Sequence, residues 1–142
     1  MEFKEIIFGS PQYEQEVELR SRILRNPLGL DLDEENLAQE NRQLHFGLFE
    51  EDKIKACVLI QPFKDTHAKL RQMAVTDDNQ GKGYGSTMVD EVEKYLREIG
   101  MTNIELHART SAVGFYEKKG YSVFGDEFLE VGIPHLKMRK SI

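Results

Sequence analysis

The residues best placed to do chemistry are Gln80-Gly81-Lys82-Gly83-Tyr84-Gly85-Ser86. They lie between an apolar stretch, Leu70 to Val75, and a helical pattern, Met88 to Ile99. A glycine-rich turn leading into a helix collects unpaired backbone N–H groups at the positive end of the helix dipole, where anions and above all phosphates bind. Two common phosphate signatures can be tested. A P-loop needs G-x-x-x-x-G-K-[ST], but Thr76 stands at the first glycine position and Gly83 at the Ser/Thr position. A dinucleotide fingerprint needs G-x-G-x-x-G, whereas the spacing is G-x-G-x-G, with Ser86 or Met88 at the third-glycine position. Alternating glycines also carry an entropy cost that a plain connection would not require.

Other reactive side chains are sparse. Cys57 is the one cysteine, inside the apolar run Ala56 to Ile60, where nothing nearby lowers its pKa; it reads as inert core. The four histidines, His45, His67, His107 and His135, show no metal-ligand spacing, so no metal is expected.

The elements that must position the loop follow from periodicity. Glu2 to Phe8 reads as a strand. Ser10 and Pro11 read as N-cap and first residue of an amphipathic helix, Gln12 to Arg25, with Tyr13, Val17, Arg20/Ser21 and Leu24 on its apolar stripe and the charged residues elsewhere. The arginines Arg20, Arg22 and Arg25 on this helix either form a solvated face or meet an anionic group of the acceptor. The turn Asn26-Pro27-Leu28-Gly29-Leu30 stops the helix, and its two leucines either line a pocket or tuck into the core. Asp33 caps a short second helix, Glu34 to Gln39. Leu44 to Phe49 and Ile54 to Ile60 form a hairpin around Glu50 to Lys53, with Pro62 ending the second strand. Ala68 to Val75 is the next strand. After the loop helix come a strand from Asn103 to Ala108, a helix from Ser111 to Lys119 and a strand from Tyr121 to Phe124. A turn at Gly125-Asp126 precedes the last strand, Pro134 to Arg139. Antiparallel hairpins followed by a β-α-β unit predict an α/β (mixed α+β) domain over residues 1–142: a splayed, mostly antiparallel sheet of about six or seven strands with helices on both faces.

Bulk composition narrows the function. At 142 residues with 39% hydrophobic and 31% charged content, the chain reads as one soluble globular domain. No apolar run reaches membrane-span length, and the N-terminus lacks a signal-peptide pattern, so a cytoplasmic protein with no membrane partner is expected. A net charge of −6 argues against nucleic acid as a main partner.

Two blocks carry a family resemblance. Gln72-Met73-Ala74-Val75 followed by Gln80-Gly81-Lys82-Gly83-Tyr84-Gly85 resembles the acetyl-CoA signature Q/R-x-x-G-x-G/A of the GNAT superfamily of N-acetyltransferases. Ala112-Val113-Gly114-Phe115-Tyr116-Glu117-Lys118-Lys119-Gly120-Tyr121 is similar to that family's A-x-x-F/L-Y-E-K-x-G-F/Y segment. The Pro27-to-Leu30 turn and Gly132 to His135 further resemble the ElaA-like branch.

The resemblance implies acetyl-CoA as co-substrate, without metal. The pyrophosphate would lie on the amides of Gln80 to Ser86 with Lys82 adding charge, and the pantetheine along Met73, Ala74 and Val75. Arg109 and Phe115 would border it, with Arg109 standing where many members carry asparagine. Tyr116 would protonate the leaving thiolate. Glu130, His135 and His107 are three open candidates for the base that deprotonates the acceptor amine, and Leu28 and Leu30 for the acceptor pocket. The expected reaction is direct acetyl transfer to a primary amine of a small molecule or peptide, by a monomer or homodimer. The alternatives are a CoA-binding sensor or interaction module without turnover, and a nucleotide-phosphate binder that prefers ATP to CoA.

Overall fold

The computed structural model describes residues 1–30, 37 and 39–142; the expected second helix, Glu34 to Gln39, lies for the most part outside them. Seven strands form one sheet: β1 (Glu2–Glu5), β2 (Leu44–Glu50), β3 (Lys53–Phe63), β4 (His67–Val75), β5 (Asn103–Arg109), β6 (Ser122–Glu130) and β7 (Ile133–Ser141). Their order is β1-β2-β3-β4-β5-β7-β6. All neighbours are antiparallel except β4 and β5, which are joined by a helical crossover and run parallel. This is the mixed sheet expected. Among the described residues no helix is long and apolar enough to cross a membrane.

Among the described residues three α-helices flank the sheet, each described over its full length: α1 (Pro11–Arg20), α2 (Tyr84–Glu98) and α3 (Val113–Lys118). The Ser10 hydroxyl accepts from the Tyr13 N–H at 3.2 Å, with Pro11 behind it, as the cap pattern predicts. Past Arg20 the helix widens into a π-helical turn, Ser21–Arg25, and ends at Gly29 with φ 72°. Helix α2 buries Met88, Val89, Val92 and Leu96 completely against the sheet. Each such side chain contributes roughly 1.5–3 kcal/mol, so this stripe anchors the helix that carries the glycine loop.

The core has two sides. On the α2/α3 side Phe46, Leu48, Val58, Ile60, Leu70, Leu106 and Met138 pack with Tyr116 and Tyr121. On the α1 side lie Leu19, Cys57 and Ala74, with Ile6, Tyr13 and Phe49 beside them. Strand β3 is interior, and Cys57 is 0% exposed; burial pushes its thiol far up, which makes it inert as expected.

Two irregularities shape the centre. Strands β4 and β5 pair only from His67↔Asn103 to Leu70↔Leu106. Beyond that point β4 continues against β3 and β5 continues against β7, so a wedge opens between them. In β4 the register against β3 slips: Cys57 faces Ala74 while Leu59 faces Arg71, two steps on one strand against three on the other. The extra residue, Gln72, takes φ 51°, the left-handed conformation of one class of β-bulge and one that a non-glycine residue rarely adopts.

Three local expectations are corrected. Pro62 does not end β3, because the strand runs on to Phe63 with Pro62 opposite Ala68. Gly125-Asp126 is an irregularity inside β6 and not a turn: the β6–β7 register breaks between Phe124 and Phe128, and Gly125 supplies the positive φ there. Helix α1 does not keep its charges in solvent, since Glu16 and Arg20 are both 0% exposed.

Candidate active site

The loop before α2 does what its glycines predict. Gly81 and Gly83 adopt φ 79° and 84°, and nothing lies within 4 Å of where their Cβ atoms would be. Gly83 is the N-cap of α2 and offers no side-chain cap. The Thr87 N–H is the first to bond back into the helix, to the Gly83 carbonyl at 3.0 Å. The amides of Tyr84, Gly85 and Ser86 therefore stand free at the positive end of a four-turn helix. Gly85 serves otherwise: a Cβ there would touch Met73 Cε and Phe115 Cζ at 3.6 Å. The Gln80 side chain donates to the Val75 carbonyl at 3.1 Å, closing the loop onto the end of β4.

A cavity of about 990 Å³ joins this loop to the β4–β5 wedge. Met73, Val75, Gln80, Gly81, Gly83, Tyr84, Gly85, Ser86, Arg109, Phe115 and Tyr116 line it, as do all three base candidates, His107, Glu130 and His135. Two residues of the expected cofactor set fall outside the lining. Ala74 faces α1 with Leu19 and Cys57, and Lys82 is exposed on the loop's outer side. Leu28 and Leu30 are also outside it; Leu24 and Arg25 of the π-helical turn take the position on the wall that the turn was expected to fill. Widening of the helix at Ser21, which periodicity does not signal, brings them there.

Tyr116 is 7% exposed, between Phe115 and Tyr121, with ring centroids at 4.9 and 5.8 Å. Burial raises its pKa to about 12, so the phenol keeps its proton at neutral pH. No described residue hydrogen-bonds its hydroxyl.

The base candidates come together from three elements. His107 on β5 and His135 on β7 flank Glu130 at the end of β6. His107 Nδ1 lies 2.8 Å from Glu130 Oε1, and His135 Nε2 lies 3.6 Å from Glu130 Oε2. The Phe128 ring packs against both imidazoles, at 5.0 and 5.9 Å. Burial would raise the Glu130 pKa, but the hydrogen bond from His107 and the basic side chains around it outweigh this and hold the carboxylate ionised. His135 Nδ1 sits 2.7 Å from the Ile133 carbonyl, which can only accept, so that nitrogen carries a proton.

A second polar cluster, absent from the sequence reading, lies behind the bulge. Arg20 donates to Glu40 at 2.9 and 2.5 Å, to Glu16 at 2.8 Å and, through Nε, to Gln72 Oε1 at 2.9 Å. His45 Nδ1 meets Glu16 at 3.0 Å and Nε2 meets the Glu40 carbonyl at 2.8 Å. Both ring nitrogens face acceptors, so His45 is an imidazolium here; burial opposes this charge, but Glu16 more than offsets it and the pKa is raised. Glu16, Glu40 and His45 lie close enough to share a metal ion, but the Arg20 guanidinium fills the space among them and supplies the countercharge. The cluster's link to the site is Gln72, whose strained backbone is tethered by Arg20.

Comparison with known proteins decides the family. The model of the acetyltransferase (GNAT) domain matches residues 14–142. The chain belongs to the GNAT acetyltransferase family. It is 40% identical over 75 residues to the uncharacterized protein YyaT of Bacillus subtilis (strain 168), a match covering 53% of this chain and 51% of YyaT; the chain thus spans about half the length of the curated relatives it matches. Its fold superimposes on the crystal structure of Escherichia coli ElaA with a TM-score of 0.83 at 16% identity, covering 99% of both chains. It superimposes on a GNAT family acetyltransferase from Elizabethkingia anophelis with acetyl-CoA bound at a TM-score of 0.75 and 15% identity, covering 99% of this chain and 97% of the other. At these identities the likeness is one of fold.

Proposed function

We propose that this GNAT protein moves an acetyl group from acetyl-CoA directly to a primary amine. One observation carries the reading: a single cavity connects three free helix-start amides, a wedge with unpaired strand edges, a protonated tyrosine and a His-Glu-His cluster. Acetyl-CoA supplies the activated acetyl thioester as co-substrate. The amides of Tyr84 to Ser86 fit a pyrophosphate, and the open edge of β4 from Met73 to Val75 offers backbone groups to an amide-bearing arm. An N–H on that edge stabilises negative charge developing on the carbonyl oxygen.

The proton balance follows from the side chains. The amine nitrogen forms the new C–N bond as the C–S bond breaks. Tyr116 delivers its phenolic proton to the departing sulfur, and its burial keeps that proton on the phenol until the C–S bond breaks. The acceptor nitrogen sheds a proton to His107, whose Nδ1–H is held by the ionised Glu130 so that Nε2 is left to accept. His135 borders the same carboxylate and steadies it. The inert Cys57 supports direct transfer rather than an acyl-enzyme. The single buried cysteine accords with a reducing, cytoplasmic setting.

The test is thiol release from acetyl-CoA across a panel of amines, with Tyr116→Phe alongside. Loss of general acid catalysis lowers kcat by roughly 100-fold or more. Unchanged turnover in Tyr116→Phe would remove the acid role. Absence of acetyl-CoA binding by calorimetry would remove the whole reading, and binding without any turnover would leave a CoA-binding module.

A further inference from the structure

The acceptor side of the cavity carries a charge pattern at odds with the rest of the chain. Overall the chain has 25 acidic against 19 basic residues. The cavity lining has four permanent cations, Arg25, Lys69, Arg71 and Arg109, against one carboxylate, Glu130, which His107 already engages. The cations share a face. Leu70, Leu106 and Ala108 point into the α2/α3 core, so Lys69 and Arg71 on β4 and His107 and Arg109 on β5 point the other way. Arg25 reaches the same side from the π-helical turn.

Among the described residues the three arginines bond neutral oxygens. Arg71 donates to Gln43 Oε1 at 3.2 Å, Arg25 to the Leu24 carbonyl at 3.2 Å and Arg109 to the same carbonyl at 3.5 Å. Among the described residues none of the four forms an ion pair. Arg20, one element away, shows the contrast: a structural arginine here is surrounded by two carboxylates. Partial burial, then the neighbouring cations, holds both Lys69 and Arg25 below their usual ranges. Four cations gathered on one half-buried wall repel one another more than Glu105 and Glu130 nearby offset, and an anion bound among them relieves that repulsion.

Resting on the acetyl-transfer reading, we propose that the acceptor is a small amine that also carries an anionic group, a carboxylate or a phosphate, held by Arg71 with Arg109 and Arg25 while its amine faces His107. Guanidinium forks suit these oxyanions. In the acetyl-transfer reading the α2 amides take the cofactor's phosphates, whereas Lys69, Arg71, His107 and Arg109 lie on the sheet face away from the α2/α3 core. A cavity of about 990 Å³ that must also admit the acyl end of the cofactor leaves room for a compact acceptor.

The experiment measures kcat/KM for matched amine pairs: an α-amino acid against its carboxamide, and an amino-alcohol phosphate ester against its parent amino alcohol. The two pairs distinguish a carboxylate from a phosphate. The expected result is a preference of roughly 10- to 100-fold for the anionic member of at least one pair, the size of a charge-assisted hydrogen-bond set. Arg71→Gln should collapse that preference, and Arg71→Lys should restore part of it. Acetyl-CoA calorimetry on each variant verifies that it is folded. Equal or better turnover of the neutral members overturns the inference and leaves acetyl transfer standing. So does an Arg71→Gln variant that weakens acetyl-CoA binding while keeping the preference. Acetyl-CoA binding without turnover of any amine overturns both readings.

Discussion

Replacing Arg20 by methionine tests whether the buried cluster behind the β4 bulge is a charge-balanced unit. Methionine keeps much of the side-chain volume, so the change removes charge and donors more than packing. Arg20 is 0% exposed and donates four hydrogen bonds, three of them to carboxylate oxygens of Glu16 and Glu40. Burial opposes its charge, but Glu40 and then Glu16 more than offset this and raise its pKa. Without it, two buried carboxylates share one imidazolium, His45. Removing one partner of a buried ion pair costs about 3–5 kcal/mol, a large part of the 5–15 kcal/mol that holds a typical domain together. For a domain of this length that corresponds to a fall in Tm of roughly 10–15 °C. The sign of the pH effect is also set. Burial disfavours an unpaired carboxylate in its charged form, so the variant's deficit is full at neutral pH and shrinks on acidification. Urea unfolding followed by circular dichroism at pH 7.5 and 5.0 reads both effects. A variant within about 1 kcal/mol of wild type at pH 7.5, or a deficit that grows on acidification, would refute the reasoning.

Two further outcomes follow from the same chemistry. His45 has a raised folded pKa, so its contribution to stability is complete below its unfolded value of about 6.5 and is lost as pH rises through the higher folded value; unfolding free energy should decline across that alkaline window, and the decline should disappear in His45→Gln. Gly83→Ala forces a β-carbon onto a residue at φ 84°; it should cost about 1–2 kcal/mol in stability and weaken acetyl-CoA binding about 10-fold by moving the amides that follow, which urea unfolding and calorimetry measure.

Much of the fold was legible because its causes are local. The strand alternation from Ile104 to Ala108, the buried stripe of α2 and the glycines at positive φ before it are written in short windows of sequence. What failed was also local in appearance. Pro62 looked like a strand end, but its missing N–H is tolerated within a strand that carries on beyond it. Gly125 looked like a turn, but the chain spends its positive φ on a register break within one strand. Arg20 read as part of a solvated or acceptor-facing row of arginines, but it is buried against Glu16. Their partners Glu40 and His45 come from 20 or more positions away, and no window of sequence contains that closure.

The same division runs through the site. By itself the sequence determined that free backbone amides gather within Gln80 to Ser86, because glycine spacing and a helix start are sufficient for them; the proposed phosphate cradle is built on those amides. It also singled out Tyr116, and three separate candidates for a base. Only the tertiary structure decided that His107, Glu130 and His135 are one cluster, that Leu24 and Arg25 rather than Leu28 and Leu30 line the cavity, and that Lys69, Arg71 and Arg109 share a face with them. The physical reason is that strand order and the parting of β4 from β5 set which residues meet across the wedge. Those depend on pairings between segments far apart in the chain, whereas the amides of a helix start depend on a single turn.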